Sequence, residues 1–175
     1  MARTRRLWFP LLAGLLVAGV LGVGGVGAAA LEPRTVTASI MVPAAAFNPN
    51  TDDWDYINQG FNIAMNDGSG NFTAPLSFPV GVVNIKRITL YAYDSGAEKV
   101  CATLYRSRPP AGDEGLTGTV CTADSAADPQ TAYTTAISPR QVNTAFHGPY
   151  LRVYLSSPSV YFYGVKITYS YDAGA

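Results

Sequence analysis

Alternation of apolar and polar residues with a period of two recurs from Thr35 to Tyr171, and no segment sustains a helical period. The alternating segments predict β-strands near 35–42, 61–66, 72–78, 82–94, 98–106, 117–122, 131–137, 149–156 and 160–171. Turn-forming sequences lie between them: NDGSGN at 66–71, DSGAE at 94–98, RPPAGDEG at 108–115 and SSPS at 156–159. This pattern predicts an all-β chain that folds as a single antiparallel β-sandwich or jelly-roll-like domain.

The same alternation predicts which side chains point away from the core. Strands 82–94, 98–106 and 149–156 each have one aliphatic face, so the residues between the aliphatic positions are expected to point outward. In strand 82–94 the alternation changes phase at Lys86–Arg87, where a register slip is expected. The aromatic and basic residues predicted to face outward are Tyr91, Tyr93, Tyr105, Tyr150, Arg152 and Tyr154.

The final strand, YFYGVKITYSY at 161–171, has the opposite arrangement. Its aliphatic residues Val165 and Ile167 share a face with four tyrosines. These tyrosines are Tyr161, Tyr163, Tyr169 and Tyr171. Because aliphatic faces pack into the core, the stripe is predicted to point inward, with its hydroxyls bonded at the rim of the sheet.

Cys101 and Cys121 are the two cysteines of the chain. If strands 98–106 and 117–122 form a hairpin centred on Ala111, the cysteines lie directly opposite each other. We therefore predict a disulfide, which would stabilise the hairpin by about 3 kcal/mol. The alternatives are a metal site and a catalytic thiol, and both are disfavoured because His147 is the single histidine.

The N-terminus has the features of an export signal. Arg3, Arg5 and Arg6 precede an uncharged apolar run that ends in Ala28-Ala29-Ala30. We expect residues 1–30 to be a signal peptide and residues 31–175 to be a secreted or cell-surface β-sandwich domain. An uncleaved membrane anchor is the alternative, because the run exceeds the roughly 20 residues that span a bilayer.

Composition and charge exclude several functions. Charged residues make up 14% of the chain, compared with roughly 25% in typical globular proteins. Without residues 1–30 the chain has nine basic and twelve acidic side chains, so the concentrated basic patch that nucleic acids require is not expected. The sequence contains no nucleophile elbow, HExxH motif or phosphate-binding loop. We therefore assign no catalytic residue and no cofactor.

The segment FNPNTDDWDYIN at 47–58 is the densest group of carboxylates. We predict Asp52, Asp53, Trp54 and Asp55 as ligand-binding residues, because acidic and aromatic groups adjoin there in one loop. Oxygen ligands at alternate positions also suit calcium, but the loop lacks the glycine and the bidentate glutamate of a hand-type site, so no metal is assigned. Trp54 is alternatively a lid packed over the end of a sheet. Trp54→Ala should weaken binding if Trp54 contacts a ligand, and should melt the domain if it belongs to the core.

The six outward residues of strands 82–94, 98–106 and 149–156 form an alternative site. Aromatic rings mounted on strands are rigid and lose little entropy on binding a glycan or a protein. This site requires the three strands to be neighbours. Without any ligand, the high β-propensity of tyrosine also accounts for these positions.

Several short motifs lie along the chain, each in or next to one of the predicted strands. They are Ala74-Pro75, Phe78-Pro79-x-Gly81, Tyr91-Ala92-Tyr93-Asp94, Leu104-Tyr105-Arg106 and Tyr163-Gly164-Val165-Lys166-Ile167-Thr168-Tyr169. With these motifs, residues 40–171 resemble a class of uncharacterised exported bacterial β-sandwich domains. The resemblance implies the fold and brings no activity with it.

The sequence thus predicts a non-catalytic secreted or cell-surface binding or interaction module, whose ligand is a glycan or a protein. A structural subunit of an extracellular or envelope assembly is the alternative. An extracellular hydrolase that uses Asp52–Asp55 is a third possibility. Contact with a membrane is expected only through the N-terminal segment, and no oligomeric state is predicted.

Overall fold

The computed structural model describes residues 34–108, 110, 112–123 and 128–174, with the backbone alone at 113, 114, 116 and 117. The strands within these ranges are β1 (Arg34–Pro43), β2 (Asn48–Pro49), β3 (Tyr56–Asn58), β4 (Ile63–Met65), β5 (Gly70–Pro75), β6 (Val82–Asp94), β7 (Val100–Arg108), β8 (Gly112–Cys121), β9 (Asp128–Thr134), β10 (Gln141–Asn143), β11 (Gly148–Leu155) and β12 (Tyr161–Ala173). One turn of 3-10 helix, Ala44–Ala46, connects β1 to β2. The all-β prediction is therefore confirmed.

The strands form two antiparallel sheets. The large sheet has the order β10-β6-β12-β4-β3, with β1 also paired to β12 and β9 also paired to β6. The small sheet has the order β2-β5-β11-β7-β8. Both sheets belong to one unit, which spans Pro33–Ala175. The signal-peptide prediction for residues 1–30 lies outside the described residues, and no helix in the described part of the chain is long and apolar enough to span a membrane.

The core consists of the aliphatic faces that the alternation predicts. Leu151, Val153 and Leu155 of β11 are fully buried, as are Ile88 and Leu90 of β6. The phase change predicted in β6 is also present: Ile85 pairs with Tyr169 and Arg87 with Thr168, so that Lys86 is an extra residue between them. Such a bulge bends the strand and re-aims the side chains that follow it.

The prediction that the tyrosine stripe of β12 points inward is only partly correct. Val165 and Ile167 are fully buried and Tyr169 is 2% exposed, as expected. At the start of the strand the prediction is wrong, because Tyr161 is 38% exposed and its neighbour Phe162 is fully buried. The cause is a second bulge: β12 shifts register between Phe162 and Gly164, so the alternation changes phase.

The predicted hairpin is formed by β7 and β8. Cys101 pairs with Cys121 in the register, and the two sulfurs form a disulfide. The predicted turn at 108–115 is too long, because β8 begins at Gly112 and pairing continues to Arg108 opposite Gly112. The two strands therefore stay paired over residues that were predicted to form a turn.

Candidate functional site

Residues Asp52–Asp55, which we call the acidic loop, comprise three carboxylates and the half-buried Trp54. The Trp54 ring lies 5.8 Å from that of Phe72, a fully buried residue of β5. A Cβ added at Gly70 would lie 3.1 Å from Cε3 of Trp54, so the indole also packs closely on the β5 backbone. The indole therefore has the position of a lid over the core.

The three carboxylates of this loop belong to exposed residues and differ in their contacts. Asp52 and Asp53 are exposed, whereas Oδ1 of Asp55 accepts a hydrogen bond of 2.6 Å from Nδ2 of Asn66. The backbone oxygen of Asp55 accepts a second bond, of 2.9 Å, from the amide of Asn66. Asp55 thus fastens the loop to the residue after β4. Within the described ranges, no three Asp, Glu, His or Cys side chains are arranged to hold a metal ion.

The predicted aromatic face is divided between the two sheets. Tyr91 and Tyr93 lie on β6 of the large sheet. The other members lie on β7 and β11 of the small sheet. They are Tyr105, Tyr150, Arg152 and Tyr154. The six residues therefore belong to two separate surfaces.

On the small sheet, the side chains pack against one another. The Tyr105 and Tyr150 rings stack at 5.3 Å with an interplanar angle of 14°. The Arg152 guanidinium lies over the Tyr105 ring, 4.5 Å from its centroid, which is the geometry of a cation–π interaction. These contacts cover ring surface on which a ligand would otherwise stack.

On the large sheet, Tyr93 has neighbours that were predicted to be internal. The Tyr93 and Tyr161 rings lie 5.5 Å apart. Partial burial raises the pKa of Tyr163 above its ordinary value, and the nearby hydroxyls of Tyr161 and Tyr93 raise it further. The bulge in β12 therefore assembles an outward tyrosine cluster that alternation alone does not predict.

The chain also has concave surfaces, which flat sheet faces lack. A groove of about 450 Å³ lies at the end of the large sheet where β6 begins and β12 ends, and we call it the end groove. Its described lining residues are Val80, Gly81, Val82, Asn84, Gln141, Tyr171 and Asp172. Its volume lies within the roughly 300–1,000 Å³ typical of small-molecule sites.

Three polar side chains of the end groove follow one another across neighbouring strands. Gln141 of β10 pairs with Asn84 of β6, and Asn84 pairs with Ser170, two residues before Asp172 on β12. Cross-strand partners have Cβ atoms about 5 Å apart, and diagonal neighbours lie about 7–8 Å apart. The Thr35 hydroxyl of β1 donates a 3.0 Å hydrogen bond to Oδ1 of Asp172, which holds this carboxylate in place.

An aromatic row leads from the core to the end groove. The Phe78 ring lies 4.9 Å from that of Tyr169, and the Tyr169 ring stacks at 6.1 Å on that of Tyr171. Burial, and to a lesser extent Tyr171, raises the pKa of Tyr169 above its ordinary value. Tyr171 is half-buried and lines the groove. Its stacking on Tyr169 therefore positions its ring at the groove.

A second groove, of about 320 Å³, lies beside β3 and β4, and we call it the side groove. Its described lining residues are Ile57, Gln59, Asn62, Ala64, Met65, Asn66, Pro158 and Tyr161. No described lining residue of the side groove is charged. Neither groove was predicted from the sequence, because each combines residues from distant parts of the chain.

No known family profile matches the chain, and no curated protein sequence matches it. Among solved structures it is similar to that of the infectious bursal disease virus Gx strain, with 12% identity and a TM-score of 0.41 over 81% of this chain and 33% of that chain. It is also similar to the CBM22-1–GH10 modules of a Clostridium thermocellum xylanase complexed with xylohexaose (12% identity, TM-score 0.47, covering 79% of this chain and 28% of that chain).

A further similar structure is CsCBM6-3 from Clostridium stercorarium in complex with cellobiose. It has 13% identity and a TM-score of 0.39, covering 79% of this chain and 94% of that chain. This chain thus spans about a third of the length of the first two structures. At these identities and scores, neither a family nor a ligand is transferred to it.

Proposed function

We propose that this chain is an exported, non-catalytic binding module that takes a neutral glycan in the end groove. The observation that supports this most directly is the polar row of Gln141, Asn84 and Asp172 beside the apolar residues Val80 and Val82. Small-molecule sites combine an apolar wall with a few placed polar groups in this way.

The chemistry of the polar row suits sugar hydroxyls. Each amide offers both donors and an acceptor, and the carboxylate accepts only. A sugar hydroxyl can donate and accept at once, so it satisfies either kind of partner. The apolar face of a sugar ring would lie against Val80, Val82 and the Tyr171 ring.

The charge of the groove disfavours an acidic glycan. Asp172 is the one charged residue among the described lining residues of the end groove. It would repel the carboxylate or sulfate of an acidic glycan, since like charges at an interface are unfavourable. Binding of a neutral glycan should also change little with salt, because it neutralises no charge.

The non-catalytic and exported parts of the proposal have separate support. Hydrolysis of a glycosidic bond ordinarily uses two carboxylates across the bond, and the described lining of the end groove contributes Asp172 alone. Export is supported by the apolar N-terminal run and by the Cys101–Cys121 disulfide, because disulfides persist in oxidising compartments.

The test is a glycan array, followed by calorimetric titration of the best neutral glycan into the purified chain. Gln141→Ala should weaken binding roughly fivefold, the equivalent of about 1 kcal/mol for one hydrogen-bonding side chain. Gln59→Ala is the matched control, because Gln59 is also exposed but lines the side groove. The affinity of the Gln59→Ala variant for the glycan should be unchanged.

A second pair of variants separates the end groove from the acidic loop. Asp172→Asn should weaken binding, and Asp53→Asn, in the exposed loop, should not. If Asp53→Asn or Gln59→Ala weakens binding while the end-groove variants do not, the site is elsewhere. If no glycan on the array binds, the proposed ligand class is wrong.

A further inference from the structure

Strand β1 is an edge of the large sheet. It pairs with β12 along its whole length, from Arg34 opposite Ala173 to Pro43 opposite Gly164, without a register shift. Within the part of the chain that the structure describes, β1 pairs with no other strand. The backbone groups on its outer side therefore form an open ladder of donors and acceptors.

Between its terminal residues Arg34 and Pro43, this edge lacks the features that keep edge strands from pairing. Soluble proteins protect such strands with charged side chains, proline, bulges or short length. Between Thr35 and Val42 the sequence is TVTASIMV, with no charged residue and no proline. Its pairing to β12 also contains no bulge. A straight, uncharged strand of this length is suited to accept another strand.

The inward side chains of β1 are also incompletely covered. Val36, Ala38 and Ile40 are half-buried, whereas Ile167, the partner of Ile40 on β12, is fully buried. Ala38 and Ile40 pack against the core from its margin. A strand added beside β1 would cover these apolar side chains as well as satisfy the backbone ladder.

We infer that β1 pairs with β1 of a second copy of this chain, antiparallel and about a two-fold axis at Ala38. In this register Val36 lies opposite Ile40 and Thr37 lies opposite Ser39, so the central pairs match apolar with apolar and hydroxyl with hydroxyl, while Thr35 lies opposite Met41. No charged residue lies opposite another. The strand is thus complementary to itself, and a two-fold contact of this kind closes as a dimer.

The dimer joins two large sheets into one continuous sheet and does not depend on the function of the end groove. It is tested by light scattering after size exclusion of the full chain over a range of concentrations. The expected result is a monomer–dimer equilibrium. In Thr37→Lys/Ser39→Lys, two lysines of one copy lie opposite two of the other, so this variant should be monomeric.

Thr131→Lys is the matched control, because Thr131 is an exposed threonine of β9 in the same sheet. It should dimerise like the unchanged chain. A monomer at all concentrations, a dimer that survives the double lysine substitution, or assemblies larger than a dimer would each overturn the inference.

A cysteine variant tests the register even if the lysine variant fails to fold. Ala38→Cys should form a covalent dimer on mild oxidation, because residues at the two-fold axis lie within disulfide reach. Thr131→Cys should not. Absence of the covalent dimer from folded Ala38→Cys would also overturn the inference.

Discussion

At Gly164 the backbone of β12 lies so close to β1 that a methyl group has no room. A Cβ there would lie 2.9 Å from the carbonyl oxygen of Val42 and 2.9 Å from Cε of Met41. The methionine end can move, but the carbonyl belongs to the paired strand. Gly164→Ala should lower the free energy of unfolding by about 2 kcal/mol, as overpacking does.

Denaturant titration measures this effect. Gly81→Ala is the control, because a Cβ at Gly81 would meet nothing within 4 Å. Equal midpoints for the two variants would show that β12 and β1 are not as close as described.

Trp54 packs on Phe72, so we expect it to act chiefly in stability. Trp54→Ala should lower the free energy of unfolding by about 2 kcal/mol, less than for a fully buried tryptophan. Phe146→Ala, at a ring that is 66% exposed, should be nearly neutral. Thermal unfolding measures both. If Trp54→Ala keeps its stability and loses glycan binding, the acidic loop is the site and the end groove is not.

Tyr169 should make the stability depend on alkaline pH. Its burial, and then Tyr171, raise its pKa above the ordinary 10.0. The folded state therefore holds this proton more tightly than the unfolded state, and the resulting stability is complete below about pH 10. It is lost as pH rises through the folded pKa. Tyr169→Phe should flatten the fall in stability above pH 10. A slope equal to that of the unchanged chain would contradict this.

At the scale of elements, the β7–β8 hairpin is held by its disulfide. Cys101 and Cys121 close a loop of 20 residues, and the next outward pair is joined by a 2.8 Å hydrogen bond between the Thr103 and Thr119 hydroxyls. Cys101→Ser/Cys121→Ser should lower the free energy of unfolding by about 3 kcal/mol. Denaturation with and without reductant measures the same quantity in the unchanged chain. A midpoint that reductant does not move would contradict the prediction.

Alternation predicted the long strands and also β4, which lies within the predicted strand 61–66, but it missed three other short strands. β6 spans Val82–Asp94 as predicted, because thirteen residues give a period of two many repeats. β2, β3 and β10 have two or three residues each, too few for any period to be recognised. The bulge at Tyr163 inverted the faces at the start of β12, and no turn-forming residue other than Gly164 marks it.

At the scale of the whole molecule, strand order determined which predicted site residues meet. The cysteine pair could be predicted because both residues belong to one hairpin. Tyr91 and Tyr105 could not be assigned to different sheets from the sequence. Alternation predicts which side chains share a face of one strand, but it does not predict which strands are neighbours. The end groove unites β6, β10 and β12 across about 90 residues of sequence, so its polar row follows only from long-range pairing.

The central claim is that a neutral glycan binds in the end groove. Its most direct test is an amide chemical-shift map of the isotopically labelled chain, titrated with the best neutral glycan from the array. We predict that the largest shifts fall at residues 80–84, at Gln141 and at Tyr171–Asp172. Shifts centred on Asp52–Asp55, on Tyr105 and Tyr150, or on the side groove would contradict the claim.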